Sequence, residues 1–142
     1  MKILFFEDNA QAQKLAIKLL IDEEKHDVYL TDRYTDVIEW LEDKPGANTF
    51  GALFIDLNVP CIGMPESLRN EQSEFLSGWI FINEWLVKKY PFLQQRIILY
   101  SAYLDLIGDD IKKYHVLNKS DPNIVSCMYD ILARLDNPDC EV

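Results

Sequence analysis

The stretch GALFIDLNVP, residues 51–60, has the character of a central strand in a parallel sheet. Its apolar side chains occupy both faces of the strand, which is expected when helices cover the sheet on both sides. The run ends on a single carboxylate, Asp56, followed by Asn58 and Pro60, which favour a turn. In an open parallel sheet the ligand site lies beyond the carboxyl ends of the strands, so Asp56 is placed where chemistry would occur.

Apolar runs and helical stripes alternate along the whole chain. The strand-like runs span residues 2–6, 26–32, 51–56, 96–102 and 115–119, and stretches with helical spacing follow them. The helix over 103–115 is the weakest, because Gly108 inside it costs about 1 kcal/mol relative to alanine. Five strands alternating with five helices predict an α/β fold with a doubly wound parallel sheet and right-handed crossovers. We expect one domain over 1–142, with a core at 1–136, an inserted loop at about 59–74 and a tail at 137–142.

Charge and composition exclude several classes of function. The 142 residues carry a net charge of -10, which argues against direct binding of nucleic acid or of anionic lipid. The three cysteines, Cys61, Cys127 and Cys140, are scattered and indicate neither a disulfide framework nor a zinc site. No stretch is long and apolar enough to span a membrane. The sequence therefore predicts a cytoplasmic protein with reduced thiols.

Polar residues follow four of the predicted strands and should meet at one edge of the sheet. They are Glu7 and Asp8, Asp56, Ser101, and Lys119. Two carboxylates about 4 Å apart repel by roughly 4 kcal/mol at an effective dielectric constant of 20, so three of them need a cation. Hard oxygen ligands suit Mg²⁺ (or Mn²⁺), and a lysine with a hydroxyl suggests an anion beside the metal.

Each of these residues also has a plainer interpretation. Glu7 and Asp8 could simply complement the dipole of the following helix, and Asp56 could form an Asx turn. Ser101 could be a cap and Lys119 a solvated surface charge. Their common position at strand ends favours a shared site, because four independent strand ends rarely converge on one chemistry by accident.

Taken together, these motifs resemble the receiver domain of two-component response regulators, of the chemotaxis-regulator type. The resemblance covers nearly the whole chain and consists of ILFFEDN, LFIDLNVP, SGW, IILYSA and VLNKS in the family's order. It implies a flavodoxin-like sheet with the strand order 2-1-3-4-5. It also implies a signalling phosphoprotein rather than an enzyme, one that catalyses only its own phosphorylation and dephosphorylation.

The resemblance assigns a role to each residue of the candidate site. Asp56 would be the phosphoacceptor that takes a phosphoryl group from a phosphohistidine. Mg²⁺ would be held by Asp8 and Asp56, by Glu7 largely through water, and by the backbone carbonyl of Asn58.

The remaining roles concern the phosphoryl group itself. Lys119 would pair with one phosphoryl oxygen, Ser101 would hydrogen-bond another, and the small side chain of Ala102 would leave access. Asn58 and Tyr103 would tune the lifetime of the phosphorylated state.

Three features depart from the family's usual pattern. Ser120 replaces the usual proline after Lys119, which predicts a trans peptide bond there, because a cis bond before serine would cost about 2.5–4 kcal/mol. Val116 stands where the family has a switch aromatic. The stretch 61–75 lengthens the connection after Asp56 and predicts either a lid or partner contact, or a mobile surface insertion.

The resemblance implies partners of a definite kind. The phosphodonor would be a sensor histidine kinase or a histidine phosphotransfer protein, and the output surface, about 103–135, would serve a downstream protein or a homodimer. Two alternatives stay open: a pseudo-receiver that binds partners without phosphorylation, and a Mg²⁺-dependent phosphohydrolase. The latter would want an acid where Asn58 stands.

Overall fold

Five strands and the helices between them form the architecture. The structure is a computed structural model that describes residues 1–23, 25–60, 63–68, 73–102, 104 and 107–136. The strands are β1 (Lys2–Phe6), β2 (Asp27–Thr31), β3 (Phe50–Ile55), β4 (Ile97–Ser101) and β5 (His115–Asn118). The α-helices are α1 (Ala10–Ala16), α2 (Tyr34–Glu42), α3 (Ser73–Phe81), α4 (Val87–Lys89) and α5 (Ile124–Asp136). A π-helical segment, Ile17–Glu23, continues α1, and another, Ile82–Leu86, joins α3 to α4.

The sheet has the predicted topology. All neighbouring strands pair in parallel, in the order β2-β1-β3-β4-β5. Both faces of β3 are buried: Leu53 and Ile55 pack with residues of α2 and α3, whereas Phe54 packs on the opposite face with residues of α1 and α5. The prediction of a doubly wound, flavodoxin-like sheet is therefore confirmed.

The first and last helices begin next to side chains that bind their free backbone amides. The side-chain oxygen of Asn9 accepts hydrogen bonds from the amides of Gln11 and Ala12, which satisfies two free N–H groups at the start of α1. Asp121 accepts a bond from the amide of Asn123 at 2.8 Å, just before α5 begins at Ile124.

The weak helix predicted over 103–115 is not an α-helix in its described part. Residues Gly108–Lys113 form a 3₁₀ helix, and Gly108 has a φ of 74°. A left-handed residue ends any α-helix that reaches it, and glycine adopts this conformation at little cost. The prediction of an α-helix between β4 and β5 was wrong for the described residues, because Gly108 acts as a break rather than as a tolerated interior residue.

The inserted loop packs on the core in the part that the structure describes. Met64 is only 2% exposed and joins the cluster beneath α2 and α3. Gly63 lies against the side chain of Thr35 at the start of α2, and Glu66–Leu68 forms a short 3₁₀ helix. The described residues of the loop thus lie beside α2.

Three further predictions concern the backbone and the chain's surroundings. Among the described residues the one cis peptide bond joins Lys44 and Pro45, so the bond after Lys119 is trans, as predicted. No helix within the described ranges is long and apolar enough to cross a membrane. Tyr103 and the tail 137–142 lie outside the described residues.

Candidate functional site

The backbone of the sheet brings the predicted site residues to one edge. The first residue after each of three strands donates its amide N–H to the last carbonyl of a neighbouring strand: Glu7 to Thr31 at 3.0 Å, Asp56 to Phe6 at 3.1 Å and Lys119 to Ser101 at 3.1 Å. These bonds extend the parallel ladders by one step. The side chains therefore leave the sheet from a rigid base rather than from loose loops.

These residues share one open cleft of about 530 Å³. The predicted residues that line it are Glu7, Asp8, Asp56, Asn58, Ser101, Ala102 and Lys119, and they are joined by Asn9 and Ala10. Of the inserted-loop residues that the structure describes, none lines this cleft, although Pro60 and Gly63 line a neighbouring groove that also reaches Asp8.

Lys119 is the cation at the centre of the acid cluster. Its Nζ lies 2.6 Å from Glu7 Oε2 and 3.0 Å from Asp56 Oδ2, and 5.0 Å from the centre of the Tyr100 ring beneath it. Burial lowers the pKa of Lys119, but the hydrogen bond to Glu7 and the charge of Asp56 together raise it above its usual value. The ammonium group therefore stays charged at any physiological pH.

Glu7 is the most deeply buried acid of the cluster, with no exposed surface. Its Oε1 accepts a bond from the Asn9 amide at 2.9 Å. Burial and the nearby charge of Asp56 raise the pKa of Glu7 to about 7, although the bond from Lys119 opposes this shift. One carboxyl group of the cluster thus titrates near neutral pH.

The acid cluster fits a hard divalent cation. Glu7, Asp8 and Asp56 each offer a carboxylate oxygen, and these atoms lie within 4.8 Å of one another. Asp8 is exposed whereas the other two are buried, which leaves one side of the cluster open to water. Mg²⁺ prefers such oxygen ligands and keeps several waters.

Both carboxylate oxygens of Asp56 accept a hydrogen bond, which fixes the orientation of the side chain. Its Oδ1 accepts a bond from the Asn58 amide at 3.3 Å, and its Oδ2 accepts one from Lys119. The first bond is the Asx turn that the plainer interpretation of Asp56 anticipated. The two interpretations are compatible, because the turn orients the carboxylate within the cleft.

Two residues of α3, which directly follow the non-helical Leu76, hold the turn after Asp56, and neither was assigned a role from the sequence. The Ser77 hydroxyl is buried and contacts both the amide and the carbonyl of Val59. Gly78 lies so close that a Cβ atom there would fall 1.8 Å from the Asp56 carbonyl oxygen. Its amide also donates to the Leu57 carbonyl at 2.9 Å. Two adjacent small residues, in the motif SGW, were the only available signal.

Val116, at the position of the family's switch aromatic, is 39% exposed on β5. The side chain therefore lies at the surface of the output region predicted at about 103–135, and Val116 is not one of the residues that line the cleft.

Comparisons with known proteins identify the fold. No family model and no curated protein matches the sequence. Several solved structures match across nearly the whole chain. NtrX from Brucella abortus has a TM-score of 0.66 and 15% identity, and the match covers 97% of this chain but only 28% of that protein.

Two further matches are receiver domains of similar size. The N-terminal signal receiver domain of a response regulator from Bacteroides fragilis has a TM-score of 0.59 and 16% identity, covering 94% of both chains. The signal receiver domain of a putative Luxo repressor protein from Vibrio parahaemolyticus has a TM-score of 0.58 and 15% identity, covering 97% of this chain and 94% of that one. The resemblance predicted from the motifs is confirmed at the level of architecture: this chain has the fold of the response-regulator receiver domains.

Proposed function

We propose that this protein is a phosphorelay receiver that takes a phosphoryl group onto Asp56 and thereby changes its binding to a downstream protein. The observation that carries the proposal is the setting of Asp56: a Lys119 ammonium on Oδ2, a backbone amide on Oδ1, and two more carboxylates within metal-binding distance. An aspartate with a purely structural role would need neither of the two additional carboxylates, Glu7 and Asp8.

The chemistry is an in-line phosphoryl transfer. A carboxylate oxygen of Asp56 attacks the phosphorus, the bond from phosphorus to the donor's imidazole nitrogen breaks, and that nitrogen keeps the electron pair and takes a proton. Phosphoryl transfer needs mainly positioning and charge neutralisation. Lys119 would neutralise one equatorial oxygen, and Ser101 and Ala102, which line the same cleft, would accommodate the other oxygens.

A divalent cation completes this arrangement. Mg²⁺ or Mn²⁺ would be held by Asp8, Asp56, Glu7 and the Asn58 carbonyl, and it would supply positive charge for the phosphoryl oxygens. The donor would be a histidine kinase or a phosphotransfer protein. The signal would leave through the region of about 103–135, to a downstream protein or a second copy.

The phosphorylation test uses acetyl phosphate, Mg²⁺ and intact-protein mass. The protein should gain one phosphoryl group, whereas Asp56→Asn and the wild-type protein in EDTA should gain none. Asp32→Asn is the matched control, because Asp32 is exposed at the neighbouring groove and outside the cleft. If the wild type gains no mass, the alternative of a pseudo-receiver that binds partners without phosphorylation replaces this proposal.

Metal binding should depend on pH through Glu7. Below its pKa of about 7 the carboxyl group is mostly protonated, so a proton competes with the metal, and above it the carboxylate is free to attract the cation. With one competing proton, Mg²⁺ should bind about tenfold more weakly at pH 6 than at pH 8. Tryptophan fluorescence titrated with MgCl₂ measures this.

Glu7→Gln is the control for that pH dependence. The variant should bind Mg²⁺ more weakly at pH 8, and its affinity should change little between pH 6 and pH 8. An equally steep pH dependence in Glu7→Gln would show that another group is responsible.

A further inference from the structure

A layer of aromatic side chains lies beneath the acid cluster. Side chains two residues apart along a strand share one face of the sheet, so Phe5 lies below Glu7 and Phe54 lies below Asp56. Tyr100 of β4 belongs to the same buried cluster. Its ring meets that of Phe5 at 5.5 Å, and only 3% of its surface is exposed. Aromatic rings therefore underlie the charged groups of the candidate site.

The ammonium group of Lys119 lies over the face of the Tyr100 ring. The distance from Nζ to the ring centre is 5.0 Å, within the range in which the electron-rich face of a ring attracts a cation. The same Nζ contacts Glu7 Oε2 and Asp56 Oδ2. A lysine carries its charge on a flexible four-carbon stem, so each contact narrows the positions that Nζ can occupy. The ring is the one contact of the three that is uncharged.

During phosphorylation of Asp56 the two acids would change, whereas the ring would not. An Asp56 oxygen bonded to phosphorus loses its charge, and the negative charge then lies on the phosphoryl oxygens. Glu7 is also a candidate metal ligand, so a bound cation would compete with Lys119 for its carboxylate. The electron distribution of the buried Tyr100 ring stays the same throughout. A group that is held in place before the reaction stabilises the developing charge without having to reorganise.

We propose that Tyr100 is a positioning residue, whose ring face holds the Lys119 ammonium group where it meets the phosphoryl oxygens during transfer to Asp56. This inference rests on the proposed phosphorylation of Asp56. With acetyl phosphate as donor, an Asp56 oxygen attacks the phosphorus, the bond from phosphorus to the acetate oxygen breaks, and acetate leaves with the electron pair. No bond of Tyr100 forms or breaks, because the ring acts only through Lys119.

Ring fluorination tests the attraction with little change of shape. Fluorine atoms withdraw electrons from the face of a ring, so they weaken its attraction for a cation. Tyr100→Phe keeps the ring face and should be phosphorylated by acetyl phosphate within about twofold of the wild-type rate. A phenylalanine with three ring fluorines at position 100 should be phosphorylated roughly fivefold more slowly than Tyr100→Phe. A single ring fluorine, which adds less volume, should give a smaller decrease and replaces the trifluorinated ring if that protein does not fold.

The route through Lys119 is tested by repeating the comparison in a Lys119→Met background. There the Phe and trifluorinated proteins should be phosphorylated at equal, slow rates, because the ammonium group that the ring holds is absent. Phe54 provides the matched control, since its ring is buried in the same cluster and stacks on Phe5. Three fluorines on the Phe54 ring should change the rate less than about twofold, because Lys119 lies over Tyr100 instead.

The outcomes separate this inference from the proposed function. If the proteins are phosphorylated but fluorination of residue 100 leaves the rate unchanged, Tyr100 is a packing residue only, and the proposal for Asp56 stands. A fluorine effect that persists in Lys119→Met, or that is equally large at Phe54, also overturns the role of Tyr100. If neither the variants nor the wild type take up a phosphoryl group, the proposed function fails, and the role of Tyr100 fails with it.

Discussion

Gly78→Ala should lower the free energy of unfolding by about 3 kcal/mol, at the upper end of the usual cost of overpacking. The added Cβ would lie 1.8 Å from the Asp56 carbonyl oxygen and 3.1 Å from the Leu57 carbonyl carbon. Both atoms belong to backbone, so no side chain can rotate away, and either α3 or the turn after β3 must shift. Urea unfolding followed by tryptophan fluorescence measures the change.

Gly51→Ala is the matched control for this substitution. Gly51 lies in β3, the strand that leads to Asp56, and the new Cβ would meet only the flexible side chain of Met1, at 3.0 Å from its sulfur. We expect a loss below about 1 kcal/mol, because the end of an unbranched side chain can move. If the two glycine variants lose equal stability, the close approach of α3 to Asp56 is not the cause.

Gly78→Ala should also impair the site itself. A displaced Asp56 carbonyl moves the turn that orients the carboxylate, so phosphorylation by acetyl phosphate should slow even at temperatures where the variant is fully folded. A destabilised variant that is phosphorylated at the wild-type rate would show that the turn and the carboxylate move independently.

Lys119→Met should have the largest combined effect on stability and on phosphorylation. It leaves buried Glu7 and Asp56 side by side without their cation, and breaking a buried charge pair costs about 3 kcal/mol or more. Transfer from acetyl phosphate should slow about 100-fold, because a charged donor aimed at the phosphoryl oxygens is lost.

The cost in stability should depend on pH. The folded-state pKa of Glu7, about 7, lies above its unfolded value of 4.5, so the folded state binds the proton more tightly and stability falls as pH rises through this interval. Lys119 lowers the pKa of Glu7 in the wild type. Its removal should raise this pKa further, so the pH range over which stability falls should extend to higher pH. Lys119→Met should therefore lose more stability relative to the wild type at pH 8 than at pH 5.

Lys112→Met controls for the loss of a lysine as such. Lys112 and its partner Asp109, 3.5 Å apart, are both strongly exposed, and exposed pairs contribute little. This variant should keep the wild-type stability at both pH values. A Lys119→Met protein whose stability deficit is the same at pH 5 and pH 8 would argue against the coupling to Glu7.

The local pattern of apolar and polar residues was sufficient to predict the parallel sheet and the position of the candidate site. A strand such as 51–56, which is apolar on both faces, is expected between two layers of helices. In a parallel sheet the residues that follow the strands lie at the same edge. Asp56 and Lys119, 63 residues apart, could therefore be placed together before any contact was known. The cap at Asn9 is likewise a local feature, because capping depends on residues within one helical turn.

The break at Gly108 was misjudged because propensity alone does not reveal the conformation of a glycine. The same residue type costs a helix about 1 kcal/mol when it adopts helical angles and ends the helix when its φ is positive. Which of the two occurs depends on how the chain between β4 and β5 packs against the sheet.

The sequence by itself determined the doubly wound parallel sheet of this protein and the convergence of Glu7, Asp8, Asp56, Ser101 and Lys119, because both follow from apolar periodicity and from the geometry of parallel sheets, whereas the strand order 2-1-3-4-5 was implied by the resemblance to receiver domains. Only the tertiary structure decided the raised pKa of Glu7 and the clamp of Ser77 and Gly78 on the turn after Asp56. The reason is physical: burial and close approach arise between elements distant in sequence, and no local pattern encodes the distance at which they meet.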